Sequence, residues 1–302
     1  MKDMTRRNFV KTIGAGALAV AAAPLYPALS FASSGKSPDL VAVKGDSIEE
    51  ILKKGLKEFG GLPVKKGDKV CIKPNMAWAV TPEGAANTNP EVLTVLIEEA
   101  FNAGASEVYV FDNPCDDQAT VQEKSGLKAA AEKAGAKVAD AKNEKDYRKV
   151  KIPEGKTLQS TQVHKLILDS DVFINVPILK HHGGAGMSCA MKNLMGAVWD
   201  RRWWHLKGLN QCIADSCIAV KPTLNVVDAY KVMLNGGPRG NNSSQFKMHK
   251  TILISKDIVA IDAASAKTFG TSPEGFDYIP MGAAHGVGTL DLDSLNIKRL
   301  VV

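Results

Sequence analysis

From residue 39 onward, short apolar runs alternate with stretches in which apolar residues recur every three or four positions. Ser47-Ile48-Glu49-Glu50 forms a capping box, and Ile48, Ile51, Leu52, Leu56 and Phe59 follow at helical spacing. The run Lys69–Lys73 predicts a buried strand ending in Pro74-Asn75. Asn89-Pro90 then offers an N-cap with proline at the first helical position, and Gly104 ends that helix. A strand over Glu107–Phe111 reaches Asp112-Asn113, followed by a polar helix over 121–133 and a strand from Lys137. Residues 143–162 are polar and carry no clear period. Order returns with a strand over 171–179 that stops at Lys180-His181-His182-Gly183-Gly184. Helices over 191–198 and 206–220, a strand over 224–227 with Asp228 at its end, and a Gly236-Gly237-Pro238 turn follow. A strand over 251–255, a helix over 258–269 and a last strand within 294–301 complete the chain. No internal repeat is visible. Strands alternating with helices predict an α/β fold, with a layered, mainly parallel sheet and helices on both faces, in a single domain over 39–302.

The first residues follow another pattern. Lys2, Arg6, Arg7 and Lys11 precede an apolar stretch from Ile13 to about Leu29, and Ser30-Phe31-Ala32 fits a small-x-small cleavage site. Arg6-Arg7, with Phe9 and Lys11 behind it, resembles a twin-arginine export signal. Residues 1–32 are therefore expected to be a removed signal, 33–38 a linker, and the mature protein periplasmic or otherwise exported by the twin-arginine machinery. Pro24 and Pro27 interrupt the apolar stretch, which is short for a span of about 20 residues, so no membrane span is expected after processing. That route resembles one used by proteins that fold around a cofactor before crossing, which raises the expectation of one.

Composition changes this picture little. With 45% hydrophobic and 23% charged residues among 302, the chain is neither disordered nor a coiled coil. Its net charge is +6, but four basic residues and one acidic lie in the first 32, leaving +3 for the remainder. No clustered basic face is visible, so a nucleic-acid partner is not expected. Five cysteines at irregular spacing give no disulfide framework. No C-x-x-C is present, and Cys212 and Cys217 would diverge by roughly 140° on a helix. An iron–sulfur cluster held by this chain alone is not expected.

Candidate chemistry gathers at predicted strand ends. Lys73 and Asn75, Asp112 and Asn113, Lys180 with His181 and His182, and Asp228 each close a strand, and open parallel sheets bind ligands beyond those ends. Lys192-Asn193 opens a helix whose free backbone donors favour an anion. Such a set suits a small carboxylate, phosphate or enolate-like group. Lys73, Lys180 and Lys192 would hold charge and Asn75 and Asn193 would orient the ligand. His181 or His182 would move a proton, and Asp228 would pair with one of these bases. Adjacent residues on a strand face opposite ways, so one of the two histidines at most reaches a shared site unless the glycines redirect both. A metal ion needs three convergent ligands, which His181, His182, Asp228 and His285 could supply only through folding. Arg201, Arg202, Trp203, Trp204 and His205 read as an amphipathic lid or a partner surface.

Taken together, Ile72-Lys73-Pro74-Asn75, Asn175-Val176-Pro177-Ile178-Leu179-Lys180-His181-His182 and Met191-Lys192-Asn193-Leu194-Met195-Gly196 resemble the domain-of-unknown-function family 362. Val227-Asp228, Gly236-Gly237-Pro238, Val259-Ala260-Ile261-Asp262 and Gly286-Val287-Gly288 follow in the family's order, over about residues 39–302. The resemblance implies a fold and a site, without a reaction. Some members carry ferredoxin-type cysteine runs, which this sequence lacks. The catalytic residues expected are His181, His182, Lys180 and Asp228, and the binding residues Lys73, Asn75, Lys192 and Asn193, in an enzyme acting on a small anionic substrate. The alternative is a non-catalytic periplasmic accessory protein that carries a metal or cofactor to a redox partner.

Overall fold

Strand side chains alternate between two separate apolar cores. In the strand Lys69–Pro74, Val70 and Ile72 join one core and Cys71 the other; in Val172–Val176, Ile174 and Phe173 divide in the same way. The period of two along a strand makes this division. A sheet covered on both faces is its consequence.

The computed structural model describes residues 37–302, and the expected signal at 1–32 lies outside them. In chain order come β1 (Leu40–Lys44), α1 (Ile48–Phe59), β2 (Lys69–Pro74), α2 (Pro90–Asn102), β3 (Glu107–Val110), α3 (Gln118–Lys124), α4 (Leu127–Lys133) and β4 (Lys137–Val138). Then follow β5 (Tyr147–Lys151), β6 (Ser160–His164), α5 (Lys165–Leu168), β7 (Val172–Val176), β8 (Ile178–His182), β9 (Gly186–Ser188), α6 (Ala190–Asn193), α7 (Trp204–Lys207) and α8 (Leu209–Ala219). The chain finishes with β10 (Leu224–Met233), β11 (Phe246–Ser255), α9 (Ile258–Phe269), α10 (Tyr278–Ala284) and β12 (Ile297–Val301). One sheet runs β12-β1-β11-β10-β7-β2-β3-β4, with β8 also beside β10 and β9 beside β8. Its pairings are mostly parallel; β11 runs antiparallel to β1 and β10, and β9 to β8. Helices α1, α2, α3 and α4 cover one face, and α6, α8, α9 and α10 the other. The fold is α/β, with a layered and mainly parallel sheet.

Local signals set several elements. Ser47 Oγ accepts from Glu50 N at the start of α1, and Asn89 Oδ1 from Glu91 N at the start of α2. Elsewhere the structure departs from the pattern. The polar helix is two helices, because Gly126 takes a positive φ of 70° between them. The strand expected over 171–179 breaks at Pro177, which has no N–H for a ladder. Residues 147–151 and 160–164, which carried no period, pair as an antiparallel hairpin. The expected strand 224–227 runs on to Met233, because β11 pairs along it.

A buried chain of amides crosses the sheet. Asn75 Nδ2 donates to Asn193 Oδ1 at 3.2 Å, Asn193 Nδ2 to Asn175 Oδ1 at 2.9 Å, and Asn175 Nδ2 to Asn225 Oδ1 at 2.9 Å. Asn225 Nδ2 ends the chain on the carbonyls of Ser255 and Lys256. Asn175 is fully buried and also donates to Ala190 O. An Asn175→Val substitution leaves three buried polar groups unpaired, at about 1–3 kcal/mol each. Urea unfolding should show a loss of roughly 3 kcal/mol or more; a loss below about 1 kcal/mol contradicts a closed network.

Candidate functional site

At the ends of β2 and β3 and along β8 the structure holds a cavity of about 260 Å³. β2 delivers Lys73 and, just past its end, Asn75. The turn after β3 delivers Asp112, Asn113 and Cys115. Lys180 and His182 come from β8, and Lys192 and Asn193 from α6. Met195, Gly196, Arg201 and His205 close the wall. Four separate stretches of sequence thus meet in one place, as ligand sites at strand ends do.

The deepest charge is paired within the protein. Lys73 and Asp112 are both buried, with Nζ 2.8 Å from Oδ1. The contact is ionic and off the hydrogen-bond line; Asp112 Oδ2 accepts from Met76 N at 2.7 Å, and Lys73 Nζ donates to Pro74 O at 3.1 Å. Burial pushes the Lys73 ammonium below its usual pKa, and Asp112 opposes that. Gly196 lies directly over the pair: a Cβ there would stand 1.9 Å from Asp112 Oδ1 and 2.7 Å from Lys73 Nζ. Only a residue without a side chain lets the backbone approach this closely.

Lys180 is also buried, without a carboxylate. Its Nζ donates to Ala86 O, to Pro238 O at 2.9 Å and weakly to Asn75 Oδ1 at 3.5 Å. Three acceptors match the three donors of an ammonium, so Lys180 spends its hydrogens on the protein. Burial, with Lys192 nearby, pushes its pKa to about 7. Lys192 differs. Its Nζ reaches only the Met195 thioether, at 3.6 Å, and burial pushes its pKa to about 8. Arg201 completes the cations, with Nη1 on Met195 O and Nη2 on Asn113 O. Four cations face the cavity against the single carboxylate of Asp112.

His182 has a fixed tautomer. Its Nδ1 accepts from Gly184 N at 3.0 Å and Ala185 N at 3.2 Å, so the ring proton sits on Nε2. Nε2 has no hydrogen-bond partner in the protein, and the residue lines the cavity. Burial, then Lys192 and Lys180, push the pKa to about 2. The ring is held neutral and offers an N–H.

Other candidates fall elsewhere. His181 is not among the lining residues; strand alternation sends Lys180 and His182 to the cavity, and His181 Nδ1 instead accepts from Gly237 N. Asp228 is not a strand-end base. It lies inside β10, buried, where Oδ2 accepts from Asn89 N and Oδ1 from Tyr230 N, so it anchors the start of α2. Burial raises its pKa to about 6, against those two bonds. The backbone donors expected at Lys192-Asn193 to hold an anion are already taken. Asp262 accepts from Ala190 N and Met191 N, so the protein's own carboxylate caps α6. Burial raises Asp262 to about 7. Among the described residues no three His, Cys, Asp or Glu side chains converge as metal ligands, and His285 pairs with Asp215 at 2.7 Å, beyond the cavity wall.

Arg201 and His205 line the cavity, and Trp204 is buried in the core, so the basic-aromatic cluster is not one outward surface. Among the lining residues, Cys115 was not expected at the site, and Arg201 was expected only as part of a lid or partner surface. A signal existed for Cys115, which stands three residues after Asp112 at the end of β3. Arg201 is placed on the cavity wall by its carbonyl contacts with Met195 and Asn113, which its local sequence does not show.

An α/β protein with a cation-rich cavity at its strand ends is the class that this geometry defines. The chain belongs to the family described as Domain of unknown function (DUF362), whose model matches residues 70–267. The Thylakoid-associated protein sll1697 of Synechocystis sp. (strain ATCC 27184 / PCC 6803 / Kazusa) is 24% identical over 218 residues, 68% of this chain. The chain spans 65% of that relative's own length. Among solved structures, the lactate racemase apoprotein from Thermoanaerobacterium thermosaccharolyticum matches 70% of this chain and 54% of its own at 13% identity, with a TM-score of 0.41. A protein from Thermotoga maritima matches 74% of this chain and 59% of its own at 12% identity, with a TM-score of 0.47. Among the described residues no helix is long and apolar enough to cross a membrane.

The Lys73–Asp112 pair generates a prediction. Lys73→Met strands a buried carboxylate and should cost about 3–5 kcal/mol in urea unfolding. Adding Asp112→Asn, which keeps an acceptor for Met76 N, should recover a large part of that loss. Equal stability of the single and double variants would contradict a coupled pair.

Proposed function

We propose that this cavity binds a small carboxylate or phosphate and carries out acid–base chemistry on it. The observation that supports the reading is the charge imbalance, with Lys192 free of any carboxylate partner. An anion entering the cavity would meet the Lys192 ammonium, the Arg201 guanidinium and the Nε2–H of His182. A lysine brought by burial to about 8 is suited to exchange a proton near neutral pH. Lys192 would therefore give and take the proton, and neutral His182 would donate a hydrogen bond to a developing negative oxygen. Asn75 and Asn193, fixed by the amide chain, would hold the wall in register. Lys73 and Lys180 act on the ligand through their field, since their hydrogens are engaged. Lys192 replaces the histidines as the proton carrier, and His181 and Asp228 have no part in this reading.

Calorimetric titration with oxalate and with inorganic phosphate tests the site. Binding requires Lys192 protonated, so affinity should be highest below about pH 7 and fall as pH rises through about 8. At pH 9 it should be roughly tenfold weaker than at that plateau. Binding should also take up a proton near pH 8, because the anion raises the lysine's pKa. Lys192→Met should weaken binding by at least about tenfold and flatten the pH dependence around 8. Absence of binding to the unaltered protein at pH 6.5 refutes the reading.

We also propose that the chain is exported by the twin-arginine route, a reading supported by Arg6-Arg7-Asn8-Phe9-Val10-Lys11. Replacing Arg6 and Arg7 by lysine should leave an uncleaved precursor in the cytoplasm on fractionation. Continued export of the doubly substituted chain overturns it.

A further inference from the structure

Cys115 differs from the other four cysteines. Cys71, Cys189, Cys212 and Cys217 are buried, and burial pushes Cys71 to about 12, Cys212 to about 11 and the other two upward. Cys115 is exposed. Its backbone is fixed by a hydrogen bond from its N–H to Ala77 O at 2.9 Å, and Arg201 Nη2 donates to its Sγ at 3.5 Å. The residue lies on the wall shared by the cation-rich cavity and an adjoining hollow of about 500 Å³, lined in part by Lys142, Arg202 and Trp199. Cationic side chains thus line both hollows that this thiol borders, with Asp112 in the first and Asp200 in the second. A second observation points to a ligand at the same place. His182 is 8% exposed and lines the same cavity as Cys115; its Nδ1 is satisfied, and its Nε2–H has no hydrogen-bond partner in the protein.

We propose that Cys115 is a nucleophile for small disulfides that carry carboxylates, and that it becomes S-thiolated at the cavity mouth. The ligand's carboxylate would rest against Lys192, Arg201 and the His182 N–H while its disulfide meets Sγ. The thiolate attacks one sulfur, a new S–S bond forms to Cys115, the ligand's S–S bond breaks, and the second half leaves as a thiolate with the electron pair. The disulfide is itself the oxidant, so no further reagent is consumed. The adduct would then occupy the approach to Lys192 and exclude other anions. The proposal builds on the anion-site reading, but it has its own readout.

The mature chain, folded and unreduced, is treated with the dianionic reagent dithiobis-nitrobenzoate and separately with the neutral reagent dithiodipyridine. One thiol per chain should react, and none in Cys115→Ser. Relative to free cysteine, the preference for the dianionic reagent should be at least about tenfold at low salt. It should collapse near 1 M salt, where the screening length is about 3 Å. Arg201→Gln should reduce the preference; Lys192→Gln, which leaves the backbone contacts of Arg201 in place, provides the same check if the first variant fails to fold. A native protein without a reactive thiol, or a preference equal to that of free cysteine, overturns the proposal. If oxalate fails to bind while the charge preference persists, the anion-site reading falls and the thiol proposal stands.

Discussion

Four asparagines, Asn75, Asn193, Asn175 and Asn225, pass hydrogen bonds from the cavity wall through the sheet to the carbonyls before α9. An amide carries both donors and acceptors, so each member can satisfy its neighbour on either side. The chain ties the end of β2, helix α6, β7 and β10 to one another, with Asn175, Asn193 and Asn225 buried. Shifting any of these elements by one residue would leave an amide buried and unpaired, at a cost comparable with a large part of a domain's net stability. The positions of Lys192 and Arg201 inherit that constraint, because α6, which leads into the segment carrying Arg201, is held by the amides and by Asp262.

The cavity's cations are unequal because their partners are unequal. Lys73 has a carboxylate, Lys180 has carbonyls, and Lys192 has a thioether. A buried ammonium without a counterion is costly, and the cost appears as pKa values lowered to about 7 and 8 for Lys180 and Lys192. A ligand carrying negative charge would relieve it. The same low-dielectric wall fixes His182 as a neutral donor, since two backbone N–H groups already occupy its Nδ1.

Much of the site was legible because strand ends are legible. Lys73, Asn75, Asp112, Asn113, Lys180 and His182 could each be placed at the end of an apolar run, and parallel topology then brings such ends to one edge. Asp228 misled for a physical reason. The apolar run Leu224–Val227 does end there, but β11 extends the strand by backbone pairing, which is indifferent to side chains. Lys192 and Asn193 do line the cavity, but the helix start is capped from within by Asp262, 70 residues later than Lys192 in sequence. The β5–β6 hairpin escaped notice because its outer positions are polar and its pairing partner is its own neighbour strand.

By itself the sequence determined the alternation of strands and helices, the capped starts of α1 and α2, and the few polar residues that close apolar runs. These follow from periodicity and local backbone chemistry, which act over a handful of residues. Only the tertiary structure decided which lysine is free, which histidine faces the cavity and with what proton, and that Arg201 and Cys115 share its wall. Those properties depend on burial and on partners distant in the chain, and neither is written in the spacing of neighbouring residues.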